Sequence, residues 1–300
     1  MSNANLVSII MPTYNCGHLI PRAINSVISQ SFKNWELIII DNCSNDNTQE
    51  TIKNFNDQRI TSFKINNNGI IAASRNKGIE VAKGEWIAFL DADDWWTKDK
   101  LQISVNTLNK GFDFVYHDLY KFYEKNFFFF SSKVKTTQVN SPVYKFLLEN
   151  GNVITNSSVV LKTSIIRKIN CISEDESLIA AEDFDCWLRF ASETERFKRI
   201  EGCHGFYWIG ENNTSSAKKT ATSLKTIIKN HYGKLNEPAY NNFNISELLY
   251  SIIKSLLILR NYNEAKFYNK IIKKFPVKRL LSFKLFFFIF FLFIFMFFYL

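Results

Sequence analysis

Three aspartates that follow directly on an apolar stretch are the residues whose types and spacing could most readily do chemistry. Residues 86–90 are all apolar, and Asp91, Asp93 and Asp94 come next. Such a stretch between a glycine and an acidic group predicts a buried parallel strand whose carboxyl end reaches the surface. Clustered carboxylates repel one another and need water, a helix cap or a hard cation to neutralise them. Asp91 and Asp93 could therefore bind Mg²⁺ or Mn²⁺ together; alternatively, Asp93 or Asp94 only caps a helix predicted over residues 97–108.

Strand and helix patterns alternate through residues 1–110, and this alternation decides where the aspartates lie. It predicts an α/β fold with a mostly parallel sheet and helices on both faces. The predicted strands are residues 6–11, which Pro12 should end, 36–40, 60–65 and 86–90, and the predicted helices are residues 20–28, 46–55 and 72–82. Because such sheets bind ligands beyond the carboxyl ends of their strands, Asp41, Asn42, Asp91 and Asp93 should share one rim.

The later patterns predict a few more strands and then helices. Aromatic residues crowd segment 112–139, which predicts strands or a hairpin over the core, with an acceptor-binding wall as the alternative. Residues 153–161 predict another strand, and residues 182–190 a helix whose first turn carries acids, a placement that the helix dipole alone would favour. Residues 247–259 and 263–275 predict a helical hairpin. In the second helix of the chain, Asp46 and Gln49 are expected to form a capping box.

Charge is distributed unevenly along the chain, and this distribution argues against a nucleic-acid partner. Residues 1–200 hold 23 basic and 23 acidic side chains, whereas residues 201–300 hold 14 and 5. Seven bases lie between Lys266 and Lys284 with no acid among them, directly before an apolar tail. This pattern is typical of a segment that lies against an anionic membrane surface, although a solvated basic helix face is the alternative.

Sixteen consecutive apolar residues, 285–300, end the sequence. As a helix they would be about 24 Å long, against a hydrocarbon core of about 30 Å, so a marginal span or a helix in one leaflet is expected. An oligomer contact or an internal packing helix is the alternative. The preceding bases would keep the rest of the protein cytoplasmic. The five scattered cysteines and the absence of a signal-peptide pattern also indicate a reduced, cytosolic domain.

Six separate segments match one ordered pattern. They are VSIIMPTYN from Val7, IDNCSNDNT from Ile40, NG from Asn68 leading to ASRNKG from Ala73, FLDADDW from Phe89, NSSV from Asn156 and EDFDCWLR from Glu182. Together they resemble the family 2 glycosyltransferases of the GT-A fold, over residues 6–215. The resemblance implies a catalytic domain at residues 1–218, which would be followed by a helical region at 219–276 and a membrane-associating anchor at 277–300.

The resemblance also implies a role for individual positions in binding a nucleotide-sugar. Pro12 and Tyr14 would flank the nucleotide base, and Asp41 and Asn42 would lie at its edge. Relatives carry an acid at the second of these positions, and the amide of Asn42 offers a different set of donors and acceptors to uracil. Arg75 would lie near the donor diphosphate, for which a guanidinium is suited.

Three carboxylates would carry the reaction itself. Asp91 would contact the sugar-nucleotide and the divalent cation, Mn²⁺ or Mg²⁺, and Asp93 would be the principal metal ligand. Asp183 would be the catalytic base that takes the proton of the acceptor hydroxyl, while Glu182 positions it. The cation would stabilise the leaving nucleoside diphosphate as a Lewis acid. A single displacement of this kind inverts the anomeric centre.

One segment departs from the family pattern. Relatives often show a tyrosine-arginine pair and a histidine near the end of the domain, where this chain has Trp208 and Gly210. His204 or Lys218 is a candidate to supply the missing basic group. The Gln-x-x-Arg-Trp signature of processive synthases is absent, which favours transfer of a single sugar.

The expected function is inverting, metal-dependent transfer of one sugar from a nucleotide-sugar to a lipid-linked or surface-polysaccharide acceptor on the cytoplasmic face of a bacterial membrane. The resemblance implies a UDP-sugar as the donor. Lipopolysaccharide and capsule synthesis are the expected settings. A catalytically silent, membrane-bound scaffold that binds sugar-nucleotides is the alternative, because of Asn42, Trp208 and Gly210. A nucleotidyltransferase is disfavoured, since no glycine-rich loop with a lysine follows the first strand. The sequence leaves the donor sugar, the acceptor, the linkage and the oligomeric state open.

Overall fold

The structure is a computed structural model that describes residues 5–123, 132–210, 216–232 and 244–273. Its strands are β1 (Val7–Thr13), β2 (Trp35–Asp41), β3 (Ile60–Lys64), β4 (Trp86–Phe89), β5 (Trp95–Trp96), β6 (Phe114–Tyr123), β7 (Lys133–Val134), β8 (Val160–Lys162) and β9 (Phe197–Ile209). Its helices are α1 (Ile20–Ile28), α2 (Thr48–Lys53), α3 (Ile71–Val81), α4 (Lys100–Leu108), α5 (Val143–Asn150), α6 (Thr163–Lys168), α7 (Glu182–Ala191), α8 (Ala217–Ile227), α9 (Ser246–Ile258) and α10 (Tyr262–Ile272).

All of these strands belong to one mixed sheet. The strand order is β3-β2-β1-β4-β8-β6-β9-β5, and β7 pairs with β6 beside this path. The first four strands pair in parallel, as expected from the strand and helix alternation. Beyond β4 the sheet is mixed, so the prediction of a mostly parallel sheet holds only in part: β8 runs antiparallel to both β4 and β6, and β5 runs antiparallel to β9, whereas β6 and β9 pair in parallel.

Helices cover both faces of the parallel half of the sheet. Val7, Ile9 and Met11 of β1 belong to a buried cluster that includes residues of α1 and α4. Ile10 points to the opposite face, since successive side chains of a strand alternate. There α3 lies so close that a Cβ atom on Gly78 would be 2.5 Å from Ile10 Cγ2. The predicted two-sided arrangement is therefore confirmed.

Pro12 lies inside β1, so the prediction that it ends the strand is wrong. β1 pairs with β2 through Thr13 but with β4 only as far as Ile10. Ile10 O accepts a hydrogen bond from Leu90 on the β4 side, and the backbone of Pro12, two residues later, faces the same side. Because β4 has ended there, the missing N–H of proline leaves no ladder bond unmade.

Three other local predictions need correction. Residues 153–161 form mainly a 3-10 turn at Asn156–Ser158, and only the end of this range enters β8. The helix expected from residue 97 begins at Lys100 with Asp99 as its N-cap residue, so neither Asp93 nor Asp94 caps it. Gln49 does not complete a capping box, because its side chain binds Asp41. Gln49 and Asp94 are both held by tertiary contacts, which take polar side chains that local sequence assigns to a neighbouring helix.

The chain divides into two compact units. The first comprises Met1–Tyr144, Asn152–Glu174 and Glu182–Asn213, and the second comprises Lys145–Gly151, Asp175–Ala181 and Thr214–Leu300. In the second unit α9 and α10 form the expected helical hairpin. Within the ranges that the structure describes, no helix is long and apolar enough to cross a membrane. The predicted anchor at residues 277–300 lies outside those ranges, and the three predicted domain limits stay a prediction.

The close approach of α3 to β1 yields a stability prediction. Gly78→Ala should lower the free energy of unfolding by about 1–3 kcal/mol, because the added methyl group overlaps the buried Ile10 side chain. Urea unfolding followed by circular dichroism measures this change. The matched control is the double variant Gly78→Ala with Ile10→Ala, which should be less destabilised than the sum of the two single variants. Strictly additive effects would contradict the proposed contact.

Candidate active site

Two loops at the carboxyl ends of β1 and β2 are tied together by side-chain hydrogen bonds. Asp41 is buried at the end of β2, and its carboxylate accepts hydrogen bonds from the backbone N–H and hydroxyl of Ser44 and from Gln49 Nε2 at 2.7 Å. Asn15, with a positive φ of 48°, accepts a hydrogen bond at Oδ1 from the Asn45 N–H at 3.0 Å. Asp41 therefore fixes the shape of this loop through three donors.

The residues predicted to contact the nucleotide base lie around the same loops. Pro12 is buried in β1, whereas Tyr14, just beyond the strand, is 55% exposed. Asn42 is half-buried, and its Oδ1 accepts a hydrogen bond from the Asn67 N–H at 2.8 Å. Asn67 Nδ2 in turn donates to Ser74 Oγ at 2.9 Å. This chain of hydrogen bonds links the end of β2 to the first turn of α3.

Asp91 lies just past the end of β4 and is held from two directions. Its N–H donates to Ser157 Oγ at 3.2 Å, and its Oδ1 accepts from Asn156 Nδ2 at 3.4 Å. Both partners belong to the 3-10 turn that precedes β8. Arg75 Nη2 of α3 donates to the same Oδ1 at 2.9 Å. The turn and the helix together set the direction of this carboxylate.

Arg75 joins Asp91 to the helix that carries the predicted base. Its side chain is 4% exposed, and its Nη1 donates to Glu182 Oε1 at 2.8 Å. Burial opposes the charge of the guanidinium, but Asp91 and Glu182 more than offset this effect, so the pKa of Arg75 is raised. The guanidinium, expected from sequence to face a diphosphate, therefore already has two carboxylate partners.

Asp93 and Asp94 complete the turn after β4. Burial and the neighbouring charge of Asp91 raise the pKa of Asp93 to about 6. Asp94 is buried, and its Oδ1 accepts a hydrogen bond from the Trp208 N–H at 2.8 Å. Burial, together with Asp93 and Asp91, raises the pKa of Asp94 well above its usual value. Three acids so close to one another are in an unfavourable electrostatic state that a cation would relieve.

The donor set of this turn fits a divalent cation that is partly coordinated by substrate. The oxygens of Asp91 and Asp93 are hard ligands, and Asp94 Oδ2 is a buried atom without a hydrogen-bond partner. No cluster of three or more acidic, histidine or cysteine side chains suited to a metal is found among the described residues. Such a partial set is what Mg²⁺ and Mn²⁺ sites show when phosphate oxygens of the substrate complete the coordination.

Further unpartnered polar atoms lie on the same group of residues. Within the described part of the chain, the buried side-chain atoms without a hydrogen-bond partner include Thr13 Oγ1, Arg75 Nε and Asn156 Oδ1. Buried polar atoms in folded proteins are almost always paired, so unpaired ones indicate a ligand, an ion or water. These three atoms are therefore available to a ligand or water near the carboxyl ends of β1 and β4.

Arg22 of α1 contacts the turn after β4, and sequence analysis assigned it no role. Its Nη2 donates to the backbone carbonyl of Asp93 at 3.0 Å. Its guanidinium carbon lies 3.6 Å from the ring centroid of Trp95 and 4.7 Å from that of Trp208. Two indole faces thus hold the cation beside the aspartate, a favourable arrangement for a guanidinium. In sequence Arg22 is an ordinary polar position of an amphipathic helix, and nothing local distinguishes it.

The segment that departs from the family pattern lies in β9. Tyr207 is surrounded by acids: burial and the charges of Asp94 and Asp91 raise its pKa, so its hydroxyl stays a hydrogen-bond donor. Trp208 contributes its backbone N–H to Asp94, and its ring stacks on Phe122 with centroids 5.6 Å apart. These contacts explain why an aromatic residue is accommodated at position 208.

His204, one of the two candidates to supply the missing basic group, has no described contact with the aspartates of the acidic turn. Its Nε2 lies 2.8 Å from the carbonyl oxygen of Glu201, and its ring packs edge-on against His117. Lys218, the other candidate, belongs to α8 in the second unit. At the acidic turn, Arg22 supplies a guanidinium in addition to that of Arg75.

Asp183 lies in the first turn of α7, next to the Glu182 that binds Arg75. Its Oδ1 accepts a hydrogen bond from the Phe184 N–H at 2.7 Å and its Oδ2 accepts one from Asn152 Nδ2 at 3.2 Å. Burial and the adjacent Glu182 raise the pKa of Asp183 to about 7. A carboxylate with such a pKa can accept a proton near neutral pH.

The arrangement defines a class of protein: an α/β domain of the GT-A fold with a carboxylate pair at a strand end and a third acid nearby. The model of glycosyl transferase family 2 matches residues 8–169. The chain is 30% identical over 233 residues to an Escherichia coli protein, the UDP-Glc:alpha-D-GlcNAc-diphosphoundecaprenol beta-1,3-glucosyltransferase WfaP, covering 76% of this chain and 89% of that one. The chain therefore belongs to glycosyl transferase family 2, and it is a glycosyltransferase.

Solved structures share the fold at low sequence identity. S. aureus TarS in complex with UDP-GlcNAc superposes with a TM-score of 0.59 at 17% identity, covering 83% of this chain and 71% of that one. The mannosyltransferase PcManGT from Pyrobaculum calidifontis, in complex with GDP-Man and Mn²⁺, gives a TM-score of 0.57 at 12% identity, covering 89% and 83%. The family expected from the ordered sequence motifs is thus confirmed.

The position of Arg22 yields a prediction about the acidic turn. Arg22→Met should weaken manganese-dependent binding of UDP by about tenfold, the effect typical of losing a residue that orients metal ligands. Isothermal titration calorimetry measures it. The matched control is Arg59→Met, because Arg59 also lies 3.6 Å over an indole, that of Trp35, and pairs with Asp57. Equal UDP affinity of the two variants, with both folded by circular dichroism, would show that Arg22 has no part in the site.

Proposed function

We propose that this glycosyltransferase moves one sugar, with inversion, from a nucleotide-sugar to a lipid-linked or polysaccharide acceptor of cell-surface glycan synthesis. The single observation that carries the proposal is the bridge from Asp91 through Arg75 to Glu182, with distances of 2.9 and 2.8 Å. It supports Asp183 as the base, because Glu182, the neighbour of Asp183 in sequence, binds the same arginine as Asp91.

The donor would bind across the carboxyl ends of β1, β2 and β4. Pro12 and Tyr14 would flank the base, and Asn42, whose Oδ1 is already occupied by Asn67, would present its amide N–H groups to a carbonyl of the base. Asp41 would act mainly by holding the loop between β2 and α2. A uridine nucleotide is our preferred donor, in line with the UDP-Glc in the name of the E. coli relative.

A divalent cation, Mn²⁺ or Mg²⁺, would be held by Asp93 and Asp91 together with phosphate oxygens of the donor. When bound, it would stabilise the negative charge that develops on the leaving nucleoside diphosphate. The protein's own contribution is the fixed turn: Arg22 holds the carbonyl of Asp93, and Ser157 holds the N–H of Asp91. Asp93 and Asp91 would lose their mutual repulsion in that state.

Asp183 would take the proton of the acceptor hydroxyl as its oxygen attacks the anomeric carbon. Asn152 and the Phe184 N–H orient the carboxylate, and burial beside Glu182 keeps its pKa close to neutral. Glu182 itself is occupied by Arg75 and would position the base without reacting. Attack from the face opposite the diphosphate gives the inverted product.

The acceptor is proposed to be borne by a membrane lipid. The E. coli relative is named for transfer to a sugar on diphosphoundecaprenol, and this chain ends in a basic and then apolar sequence. We therefore place the enzyme on the cytoplasmic face of the bacterial plasma membrane, facing its anionic surface. Transfer of a single sugar is expected, in the synthesis of lipopolysaccharide, capsule or a related polymer.

Calorimetric titration of the purified protein with UDP, GDP and dTDP, with and without Mn²⁺, tests donor binding. We expect one nucleotide, UDP, to bind only with Mn²⁺, and Asp93→Ala to abolish that binding because it removes the principal carboxylate ligand. Asp113→Ala is a control, since Asp113 is a buried aspartate that pairs with Arg196 elsewhere in the domain. Failure of every nucleotide to bind would exclude a donor site; binding without transfer to any acceptor would favour the silent scaffold.

The pH dependence of transfer tests the base. kcat/KM should rise with pH through about 7 and then level off, because Asp183 accepts a proton only when it is ionised. Asp183→Asn should abolish transfer while nucleotide binding persists. In Asn152→Ala the midpoint should move to higher pH, since the lost hydrogen bond stabilises the ionised carboxylate. A profile that is flat between about pH 5.5 and 8.5 would contradict this assignment.

A further inference from the structure

The end of α9, the turn that follows it and the first half of α10 expose four large apolar side chains in the second unit. Ile258 is 56% exposed, Leu259 43%, Tyr262 43% and Phe267 58%. We call these four residues the hairpin apex surface. They lie within ten positions of one another, whereas the other exposed large apolar residues of the described chain are in the first unit. Apolar side chains clustered in this way, in contrast to scattered ones, indicate an interaction surface.

The hairpin does not expose these residues for lack of a core. Its inner side packs through Ile252 and Leu256 of α9 and Ala265 of α10, which form a buried cluster with Ala221 of α8. The apex surface is therefore additional to the apolar face that stabilises the unit. A helix pair needs only one apolar face to fold, so the exposed apolar side chains of the apex surface require another explanation.

Basic side chains surround the apex surface. Arg260, Lys266, Lys270 and Lys273 are all exposed. The acid of this segment, Glu264, is paired with Lys225 of α8 and is only partly exposed. On α10, Lys266, Phe267 and Lys270 lie on one side of the helix, since residues three and four apart are neighbours. Exposed apolar groups with a surplus of lysine are the composition of helices that lie in a membrane interface.

We propose that the hairpin apex surface docks onto an anionic lipid bilayer. Ile258, Leu259 and Phe267 would enter the boundary between headgroups and acyl chains, and the lysines would extend to the headgroup phosphates. Tyr262 has the amphipathic character of residues found at this depth. The sequence continues from Lys273 with further bases up to Lys284 and then sixteen apolar residues, so the described surface leads directly into a segment of the same character.

Charge favours lipid over a second copy of the chain as the occupant. A two-fold contact through this surface would bring the same four bases of each copy together, with Glu264 already neutralised by Lys225. An anionic bilayer instead attracts each base, with a gain of about fivefold in binding per lysine near the surface. The docking is independent of sugar transfer, so either can fail without affecting the other.

The test places a tryptophan at the apex of the full-length chain. Phe267→Trp is mixed with vesicles of phosphatidylcholine and phosphatidylglycerol whose acyl chains carry bromine, and its fluorescence is compared with that of the unsubstituted protein. We expect additional emission that is quenched by the brominated lipids. The matched control is Phe63→Trp, since Phe63 is 36% exposed on β3 in the first unit and should not be quenched. Lys266→Gln with Lys270→Gln should weaken vesicle binding by about twentyfold.

Three results would overturn the proposal. Vesicle binding without quenching of the tryptophan at position 267 would assign binding to the C-terminal sequence alone. Absence of binding to phosphatidylglycerol vesicles at low salt would exclude an anionic bilayer as the partner. A dimer in light scattering, with a tryptophan at 267 that is already shielded and does not respond to vesicles, would assign the surface to a second copy. Folding of each variant is checked by circular dichroism.

Discussion

The guanidinium of Arg75 is the interaction on which the rest of the site depends. Five acids lie around the carboxyl end of β4 and the start of α7: Asp91, Asp93, Asp94, Glu182 and Asp183. A group of carboxylates in a partly buried place needs a nearby positive charge to stabilise its ionised form. Arg75 is almost fully buried and bonds to both sides of it, at 2.9 Å to Asp91 and 2.8 Å to Glu182. The desolvation of this cation is offset only because both partners are charged and well oriented, and either partner alone would leave a costly buried charge. The position of α7 relative to β4 is thereby fixed by the two ion pairs of the buried Arg75.

The scaffold positions Arg75 and its two acidic partners by close packing on one side and by hydrogen-bonded loops on the other. Gly78 lets α3 approach β1 closely, and Arg75 projects from the preceding turn of the same helix. At the neighbouring strand ends, Asp41 and Asn42 each use side-chain oxygens to hold loops, so the polar groups of the rim are set by one another before a ligand arrives. Fixed dipoles and charges of this kind stabilise developing charge at little cost in reorganisation.

Many of the strands and helices could be predicted from sequence, since the spacing of apolar residues indicates the type of element and the residues that flank it indicate its ends. The parallel strands β1 to β4, helices α1 and α3, the acidic start of α7 and the α9–α10 hairpin were all predicted to within a few residues, because each is an apolar pattern bounded by glycine, proline or acids. The antiparallel pairings of β8 and β5 were not predicted. β8 has three residues and β5 has two, too short for any period, and their pairing is decided by partners far along the chain. The motifs named Asp91, Asp93, Asp183 and Arg75 as candidate site residues, but the bridge between Asp91 and Glu182 spans 91 sequence positions and no local rule contains it.

Arg22 shows the limit of motif comparison in a different way. The family pattern places a basic residue in β9. From sequence, Trp208 at this position therefore indicates that the site has lost a positive charge. In the folded chain the Arg22 guanidinium lies over the ring of Trp208 and, at a shorter distance, over that of Trp95. The same guanidinium donates a hydrogen bond to the backbone carbonyl of Asp93. Arg22 also lowers the pKa of Asp93, against the effects of burial and of Asp91 that raise it. A positive charge beside the aspartate turn is thus present, supplied by α1 and held by the aromatic residue that replaced the basic one. Because electrostatic support depends on where a charge lies and not on which element carries it, a substitution that removes a motif residue can leave the chemistry of the site intact.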